Sequence, residues 1–444
     1  MNSLVSKRPA FTILVAVALF AMLPVACSAT NSGEDDATTT TLGGDGSGAK
    51  NGQGGSGATD PTGGPSLGGS AAIKTVTLSG RVMAPSGAFP ISGALVFFTT
   101  KDPPAIPSGA YNYKCDDLDD LPYTLSSADG KWTIDNVPVG SWKLVTRKGN
   151  FRRIRTIEVV ENMAPAIPEE MTSLPKMLSA DGLDTIPNFA VVKTTPDLTY
   201  NLLAKFGMGD VDGSGNLIAG TEQFSIYADS GGSYPHTSAL FDSQQILNSY
   251  HMVFLPCNSS GVGVSFVNSH VDMLRNFVAV GGRLYNSCTV SLWTEATFPP
   301  YIDFYQSDAP TRFDIGRRTN FAYTTTGNVH DTDLAAWLGV VIPNDPKLVP
   351  FQNGYVTIDT TDEVADGHGL EKDGFVVKPY TWVSDNGSFP GSPLMVTYNY
   401  DYGKVFYSVY ETSSGSAVIT PQEYILLYVI LEVGVCANPP DIPK

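Results

Sequence analysis

A chain of 444 residues, 42% of them hydrophobic, can build two ordinary domains and still leave room for tails. Lysine and arginine total 27 against 44 aspartates and glutamates, a net charge of −17 that argues against nucleic-acid binding, which relies on basic groups to neutralise phosphates; solubility is its simplest meaning. Five cysteines are too few for a disulfide-built scaffold.

The N-terminus reads as a targeting segment. Lys7 and Arg8 form a basic region, and Phe11 to Leu23 is an apolar stretch too short to span a bilayer comfortably. Pro24-Val25-Ala26-Cys27 follows, and a small residue before a cysteine after such a stretch resembles a bacterial lipoprotein lipobox. That resemblance implies lipidation of Cys27 and a membrane partner through the anchor, although Pro24 stands where an aliphatic residue is usual. Ordinary cleavage near Ala29, leaving a secreted or periplasmic protein, is the alternative. Residues 28–72 are rich in Gly, Ser, Thr and Asp and carry too little apolar surface to offset the entropy of ordering. A coil of about forty residues spans roughly 35 Å, which suits a tether.

Between Ile73 and Val160 short alternating runs are separated by turn residues. Thr75 to Val82, Ala94 to Phe98, Lys131 to Ile134, Ser141 to Thr146 and Arg153 to Val159 read as strands, with Asp129-Gly130 as a hairpin turn. No helix interrupts them, so a small β-sandwich is expected. Gly80-Arg81-Val82, Ala128-Asp129-Gly130-Lys131 and Asn136-Val137-Pro138-Val139-Gly140 together resemble the carboxypeptidase regulatory-like domain, a transthyretin-like sandwich grouped with carbohydrate-binding-like folds. These residues are strand-and-turn grammar, and none is catalytic. Trp132, Trp142, Tyr111, Tyr113 and Tyr123 could offer stacking faces to a sugar, or simply pack. Asp116, Asp117, Asp119 and Asp120 form an acidic loop around Cys115.

After a Pro- and Met-rich linker the pattern changes. Phe189 to Val192 is an apolar run, Asp197 to Phe206 a helix with Leu198, Leu202, Leu203 and Phe206 on one face, Phe224 to Tyr227 a strand and Ser238 to Ser249 a helix. Met252 to Leu255 reads as a strand buried on both faces. A helix follows, with Ser269 and Asp272 as its capping box, Val271, Leu274, Phe277 and Val278 at helical spacing, and Gly281-Gly282 as its stop. Leu284 to Ser287 returns as a second strand. Such a crossover makes a parallel pair with ligand-accessible loops at the strand C-termini, where Cys257 and Cys288 fall. Asp331 to Leu338 is a short helix, and Tyr355 to Ile358, Leu394 to Tyr400 and Val405 to Val409 are strands. Thr420-Pro421-Gln422-Glu423 caps a final apolar helix.

The order FAVV, LLAKFGMGDVD, YHMVFLPC, LRNFVAVGGRLYNSC and GKVFYSVYETSSG resembles the class I glutamine amidotransferase-like fold, a flavodoxin-like α/β sandwich, and within it the non-catalytic-looking branches that include trehalose-utilisation-like domains. The combination with a sandwich behind a lipobox resembles surface lipoproteins of myxobacterial type. The resemblance places a nucleophile on a tight turn after a strand, about where Cys288 falls. A base is then required, and the family's late His-x-Glu pair has no counterpart, since Tyr407 to Thr412 offers Glu411 but no histidine. His236, His251, His270, His330 and His368 are scattered. The competing reading of Cys288 is a disulfide with Cys257, because two adjacent strand ends can bring Cα atoms within the roughly 4.4–6.8 Å that a disulfide needs. Two buried thiols are the third reading. Cys436 either stays free or reaches Cys115. Asp210, Asp212 and Ser214 occupy positions one, three and five of a calcium-type loop with Gly215 at the turn, but Glu222 comes one residue late for the bidentate position.

The expected architecture is therefore multidomain: signal segment 1–27, tether 28–72, transthyretin-like all-β sandwich 73–165, linker 166–186 and flavodoxin-like α/β domain 187–440. The expected role is binding or structural, in an exported lipoprotein of the outer membrane or cell surface, with a non-catalytic amidotransferase-like domain and no enzyme activity. No cofactor is expected, calcium at Asp210, Asp212 and Ser214 being the one candidate. A glycan or an envelope protein is the expected partner. The alternatives are a carbohydrate-binding surface protein and a Cys288-dependent hydrolase or amidase.

Overall fold

A computed structural model describes residues 73–432, apart from 114–117, 119, 230–232, 258–263, 307–315, 319–320, 344, 366–375 and 413–415. Its first lobe follows the alternating pattern. The strands are β1 (Thr75–Arg81), β2 (Leu95–Thr99), β3 (Tyr123–Leu125), β4 (Lys131–Pro138), β5 (Gly140–Lys148) and β6 (Phe151–Val159), followed by the one-turn helix α1 (Glu169–Thr172) and the two-residue β7 (Asp184–Thr185). β1 pairs antiparallel with β4, and a five-stranded antiparallel sheet runs β3-β2-β5-β6-β7. β4 alternates buried and exposed residues, with Trp132, Ile134 and Val137 turned inward.

The second lobe opens with β8 (Phe189–Lys193), α2 (Thr199–Leu203), β9 (Ser225–Ala228), α3 (Gln244–Asn248), β10 (Met252–Leu255), α4 (Val264–Ala279), β11 (Arg283–Ser287) and α5 (Ser291–Thr297). Then come β12 (Ile302–Phe304), β13 (Tyr323–Val329), α6 (Thr332–Val341), β14 (Leu348–Gly354) and β15 (Ile358–Thr361). The two-residue β16 (Val364–Ala365) and β17 (Val376–Val377) lead to β18 (Tyr380–Asp385), β19 (Pro393–Tyr400), β20 (Gly403–Ser408) and α7 (Pro421–Leu431). Nine strands form one mixed sheet in the order β14-β13-β18-β19-β20-β11-β10-β8-β9. β9, β8, β10, β11 and β20 are parallel, and the other four are added antiparallel. The coarse plan of a β-sheet lobe followed by a mixed-sheet lobe with helices agrees with the sequence.

Several details differ from the sequence-based expectation. α4 starts at Val264, so Ser269 and Asp272 lie inside it; the Ser269 hydroxyl bonds back to the carbonyl of Phe266 and caps nothing. Of the expected strand from Tyr355 to Ile358, Tyr355 to Thr357 are the gap between β14 and β15, and Ile358 opens β15. β13 and β18, polar enough along their length to escape notice, are two of the four strands of the antiparallel extension. The helix stop at Gly281 holds: its φ is +108°, and a Cβ there would sit 1.9 Å from the carbonyl oxygen of Tyr111 in the first lobe.

That contact is one of many across the lobes. The described residues form one compact unit with a hydrophobic core running through both lobes. Phe89 meets Tyr424 and Trp337 edge-on at 5.3 and 6.0 Å, and the Trp337 indole N–H donates to Pro90 O at 2.8 Å. α7 is buried on all sides, with Glu423 accepting the Thr420 N–H at 2.7 Å. Among the described residues no helix is long and apolar enough to cross a membrane.

His251, at the head of β10, also joins the lobes. Its Nδ1 accepts the Asn188 N–H at 2.8 Å and its Nε2 donates to Pro107 O at 2.7 Å, an arrangement that needs the neutral ring. Burial, with Arg283 nearby, pushes its pKa down from 6.5 to about 4. Above pH 6.5 both folded and unfolded chains keep it neutral. As pH falls from 6.5 to 4 the unfolded chain takes up a proton that the folded one refuses, so stability is lost over that window, by roughly 3 kcal/mol. In urea titrations the stability advantage of wild type over His251→Gln should shrink by about that amount between pH 7 and pH 4; an advantage independent of pH would refute the account.

Candidate active site

The parallel strands β8, β10, β11 and β20 end on one rim of the sheet, and the side chains of interest follow each end. Asp197 comes four residues after β8, Cys257 two after β10, Cys288 directly after β11 and Glu411 three after β20. The chain leaves β8 towards β9 on one side and returns to β10 on the other. Open parallel sheets bind ligands at such a point, because no crossover covers the crevice there.

Cys288 is wholly buried and has φ of +51°, a left-handed conformation that costs a non-glycine residue about 1–2 kcal/mol. Ser287 before it is extended and Ser291 after it is helical, so Cys288 sits on the sharp elbow between β11 and the turn into α5. Its Sγ–H points to Glu411 Oε1 at 3.6 Å, and its carbonyl accepts the Tyr407 hydroxyl at 2.6 Å. Cys257 Sγ lies 3.1 Å from the Thr289 hydroxyl. Both cysteines are free thiols, and one ligand atom from each of Cys257, Cys288 and Glu411 lies within 4.8 Å of the others.

Asp197 ties this rim together. Its Oδ2 accepts the Ser287 hydroxyl at 2.6 Å and the Cys257 N–H at 3.4 Å. Its Oδ1 accepts the Thr412 hydroxyl at 2.6 Å, the Thr412 N–H at 3.1 Å and the Thr199 hydroxyl at 3.0 Å. The Cys257 N–H also reaches the Ser287 hydroxyl at 2.8 Å. The immediate neighbours of Cys288 and Glu411 are thus held by one carboxylate. Gln422 adds a brace from α7, donating to Glu411 O at 2.5 Å.

Burial dominates the electrostatics. It pushes the Cys288 thiol well up, and the adjoining Cys257 and Glu411 push the same way. Burial also raises Asp197, opposed by the hydroxyls of Ser287 and Thr412. Glu411 rises from 4.5 to about 7, mainly through burial, with Asp197 adding to the shift and the two thiols opposing it. The thiol therefore rests protonated beside a carboxyl group that is half ionised at neutral pH.

The structure brings Cys288, Cys257 and Glu411 together. It holds the candidate disulfide pair as neighbouring thiols without a bond. Two thiols and a carboxylate buried in one cluster can react or hold a ligand, and this overturns the expectation of a purely binding or structural protein without enzyme activity. The Asp210, Asp212 and Ser214 segment is a self-contained turn, in which Asp212 accepts the N–H groups of Ser214 and Asn216 at 2.8 and 3.0 Å. Trp132 is buried and presents no free stacking face, while Trp142 is half-buried, donates its N–H to Pro138 O and meets Phe98 edge-on. Of the expected acidic loop only Asp120 is described; Cys27, Cys115, Cys436, His368, Asp116, Asp117 and Asp119 lie outside the described residues. The hub, Asp197, was legible only as the start of a helix. Its position after an apolar strand run was the available signal.

No family model matches the chain, and no curated protein does. Among solved structures the chain is similar to the GH42 beta-galactosidase Gan42B at 10% identity and a TM-score of 0.27, covering 56% of this chain and 30% of that one. It is similar to a beta-galactosidase from Rahnella sp. R3 at 12% identity and a TM-score of 0.24, covering 57% and 32%. The exo-beta-1,4-mannosidase Op5Man5 from Opitutaceae bacterium strain TAV5 follows at 11% identity and a TM-score of 0.22, covering 52% and 32%. The chain spans about a third of each, and likenesses this distant carry no inference about fold or activity.

The raised pKa of Glu411 has a consequence for stability. Below pH 4.5 the carboxyl is neutral in folded and unfolded chains alike. As pH rises from 4.5 to 7 the unfolded chain ionises while the folded one keeps its proton, so stability is lost over that window, by roughly 3 kcal/mol. Glu411→Gln, which keeps the shape without the charge, should match wild type near pH 4.5 and exceed it by about that amount at pH 8 in denaturant titrations. A variant no more stable than wild type at pH 8 would contradict the assignment.

Proposed function

We propose that the chain is a thiol-dependent acyl-transfer enzyme, a hydrolase or amidase, with Cys288 as nucleophile and Glu411 as its proton acceptor. The observation that carries the reading is the position of Cys288 at φ +51° on a strand-to-helix elbow, with Glu411 Oε1 in line with its thiol. A resting thiol needs a base. Glu411, with a pKa of about 7, is a base matched to neutral pH. In the first half-reaction the Cys288 S–H proton passes to Glu411, and sulfur forms a bond to the substrate carbonyl carbon. The leaving amine or alkoxide departs with the proton from Glu411. Water then gives a proton to Glu411 and attacks the thioester, releasing the acid and restoring the thiol. The Thr289 backbone N–H lies against the Cys288 sulfur and favours its negative form. Cys257 and Asp197 position the groups around this pair.

The same reading takes the second lobe as class I glutamine amidotransferase-like and the first as a carboxypeptidase regulatory-like, transthyretin-like sandwich. The parallel run β9-β8-β10-β11-β20 and the elbow support the former, and the Gly80, Asp129-Gly130 and Asn136 to Gly140 signatures the latter. Export and anchorage through Cys27 rest on the N-terminal sequence alone.

A second reading, a metal centre, is favoured by one observation: Glu411 Oε2 is buried without a hydrogen-bond partner, beside two sulfurs suited to a soft divalent ion such as zinc. The two readings separate cleanly. With a panel of activated esters and amides, Cys288→Ser should abolish turnover, Cys257→Ser should leave most of it, and the rate should rise with pH through about 7 in wild type but not in Glu411→Gln. Turnover unchanged in Cys288→Ser would end the nucleophile reading. A thiolate-to-metal charge-transfer band on adding cobalt(II), lost equally in Cys257→Ser and Cys288→Ser, would establish the metal centre instead.

A further inference from the structure

Beside the thiol rim lies a cavity of about 20 Å³ that the acyl-transfer step leaves unused. It sits at the switch point of the parallel strands, lined by Val192 of β8 and Leu255 of β10. Phe241 and Trp293 line it as well, their rings stacked 5.5 Å apart at 13°. The lining adjoins the reactive residues along three stretches of chain. Pro256 directly precedes Cys257, and Val290 comes two residues after Cys288. Thr194 donates its hydroxyl to the carbonyl of Asp197 at 2.9 Å.

Thr237 is the lining residue that packing does not explain. It opens the short turn Thr237–Phe241 between β9 and α3 and is 3% exposed, yet its hydroxyl has no hydrogen-bond partner. Buried hydroxyls are rarely left unpaired, because desolvation without a replacement bond is costly. An orphan hydroxyl on a cavity wall points to an occupant that bonds it. The surrounding wall is mostly hydrocarbon, so the matching occupant presents carbon to the wall and one hydrogen-bonding atom to Thr237. The volume holds about one or two non-hydrogen atoms, the tip of a chain rather than a ring. We propose that this cavity is the subsite for the outer end of the acyl group, that the substrates are esters or amides of short hydroxy acids, and that Thr237 selects the hydroxyl. The inference rests on Cys288 being the nucleophile.

Paired p-nitrophenyl esters that exchange a hydroxyl for a methyl group test this on the purified full chain. The pairs are lactate against isobutyrate, and 3-hydroxybutyrate against 3-methylbutyrate. At least one hydroxy ester should be favoured in kcat/KM by roughly tenfold, the worth of one added hydrogen bond. Thr237→Val keeps the shape and should remove that preference, whereas Thr237→Ser should retain it. Thr237→Ala replaces Thr237→Val if the latter does not fold. Equal rates within both pairs would overturn the subsite while leaving the nucleophile in place. So would a preference that survives in Thr237→Val or is lost in Thr237→Ser. If no ester or amide is turned over at all, the nucleophile reading fails, and saturation-transfer NMR decides the subsite. Lactamide or 3-hydroxybutyramide should then receive saturation from wild type and not from Thr237→Val; no transfer, or equal transfer from both proteins, would overturn the subsite.

Discussion

The arrangement at the reactive rim depends on one buried carboxylate. Asp197 accepts hydrogen bonds from Ser287, Thr412, Thr199 and the Cys257 backbone, residues that come from four separate stretches of chain. Cys257 is itself a residue of the candidate site, Ser287 and Thr412 adjoin Cys288 and Glu411, and Thr199 lies two residues from Asp197. A carboxylate in apolar surroundings is expensive unless its oxygens are fully used, and here both are. The cost of burial is met by bonds that hold Cys288 and Glu411 at a fixed separation. Apart from that hub, the segments after β11 and β20 are joined by the Cys288–Glu411 contact and, from β20 itself, by the Tyr407 hydroxyl on the Cys288 carbonyl.

The two ends of the parallel strands have opposite electrostatic character. At their carboxyl ends lie the thiols of Cys257 and Cys288 and the carboxyls of Asp197 and Glu411. At their amino ends lie Arg283 and Lys404, and Lys148 of the sandwich lines the same small cavity as Arg283 while pairing with Glu432. Burial acts on both and favours the neutral form, raising the acids and lowering the bases. His251 belongs to the second end and shows the same effect, kept neutral so that it can accept from Asn188 and donate to Pro107. The lobes are therefore joined by packing that tolerates little change, as at Gly281 against Tyr111, and by polar groups whose protonation state is fixed by the junction.

Much of the central unit was legible in the sequence. Met252 to Leu255 reads as a doubly buried strand and is one, because a continuous apolar run bounded by polar residues has few other uses. Gly281 reads as a helix stop and has the left-handed backbone that glycine tolerates. The cap at Thr420 and Glu423 forms as its spacing implies. The capping box at Ser269 and Asp272 was misread because the same residue types occur on the exposed face of a helix already under way. β13 and β18 were missed since Thr, Gly and Asn dilute the apolar pattern of the first, and Thr, Ser and Asp that of the second. The sequence also led to the wrong functional expectation. Cys288 and Glu411 lie 123 positions apart along the chain, and neither their neighbourhood nor the raised basicity that burial gives Glu411 is visible there.

The sequence by itself determined the local elements, the crossover between β10 and β11, and the placing of two cysteines at strand ends, because these follow from the periodicity of apolar residues and the backbone preferences of glycine and proline. Only the tertiary structure decided which strand ends are neighbours, that Glu411 faces the thiols, and that Asp197 bonds the residues beside them. Those facts depend on the order β20-β11-β10-β8, which brings together residues up to 215 positions apart. The pKa of a side chain is set by what surrounds it in space, and no spacing along the chain encodes that.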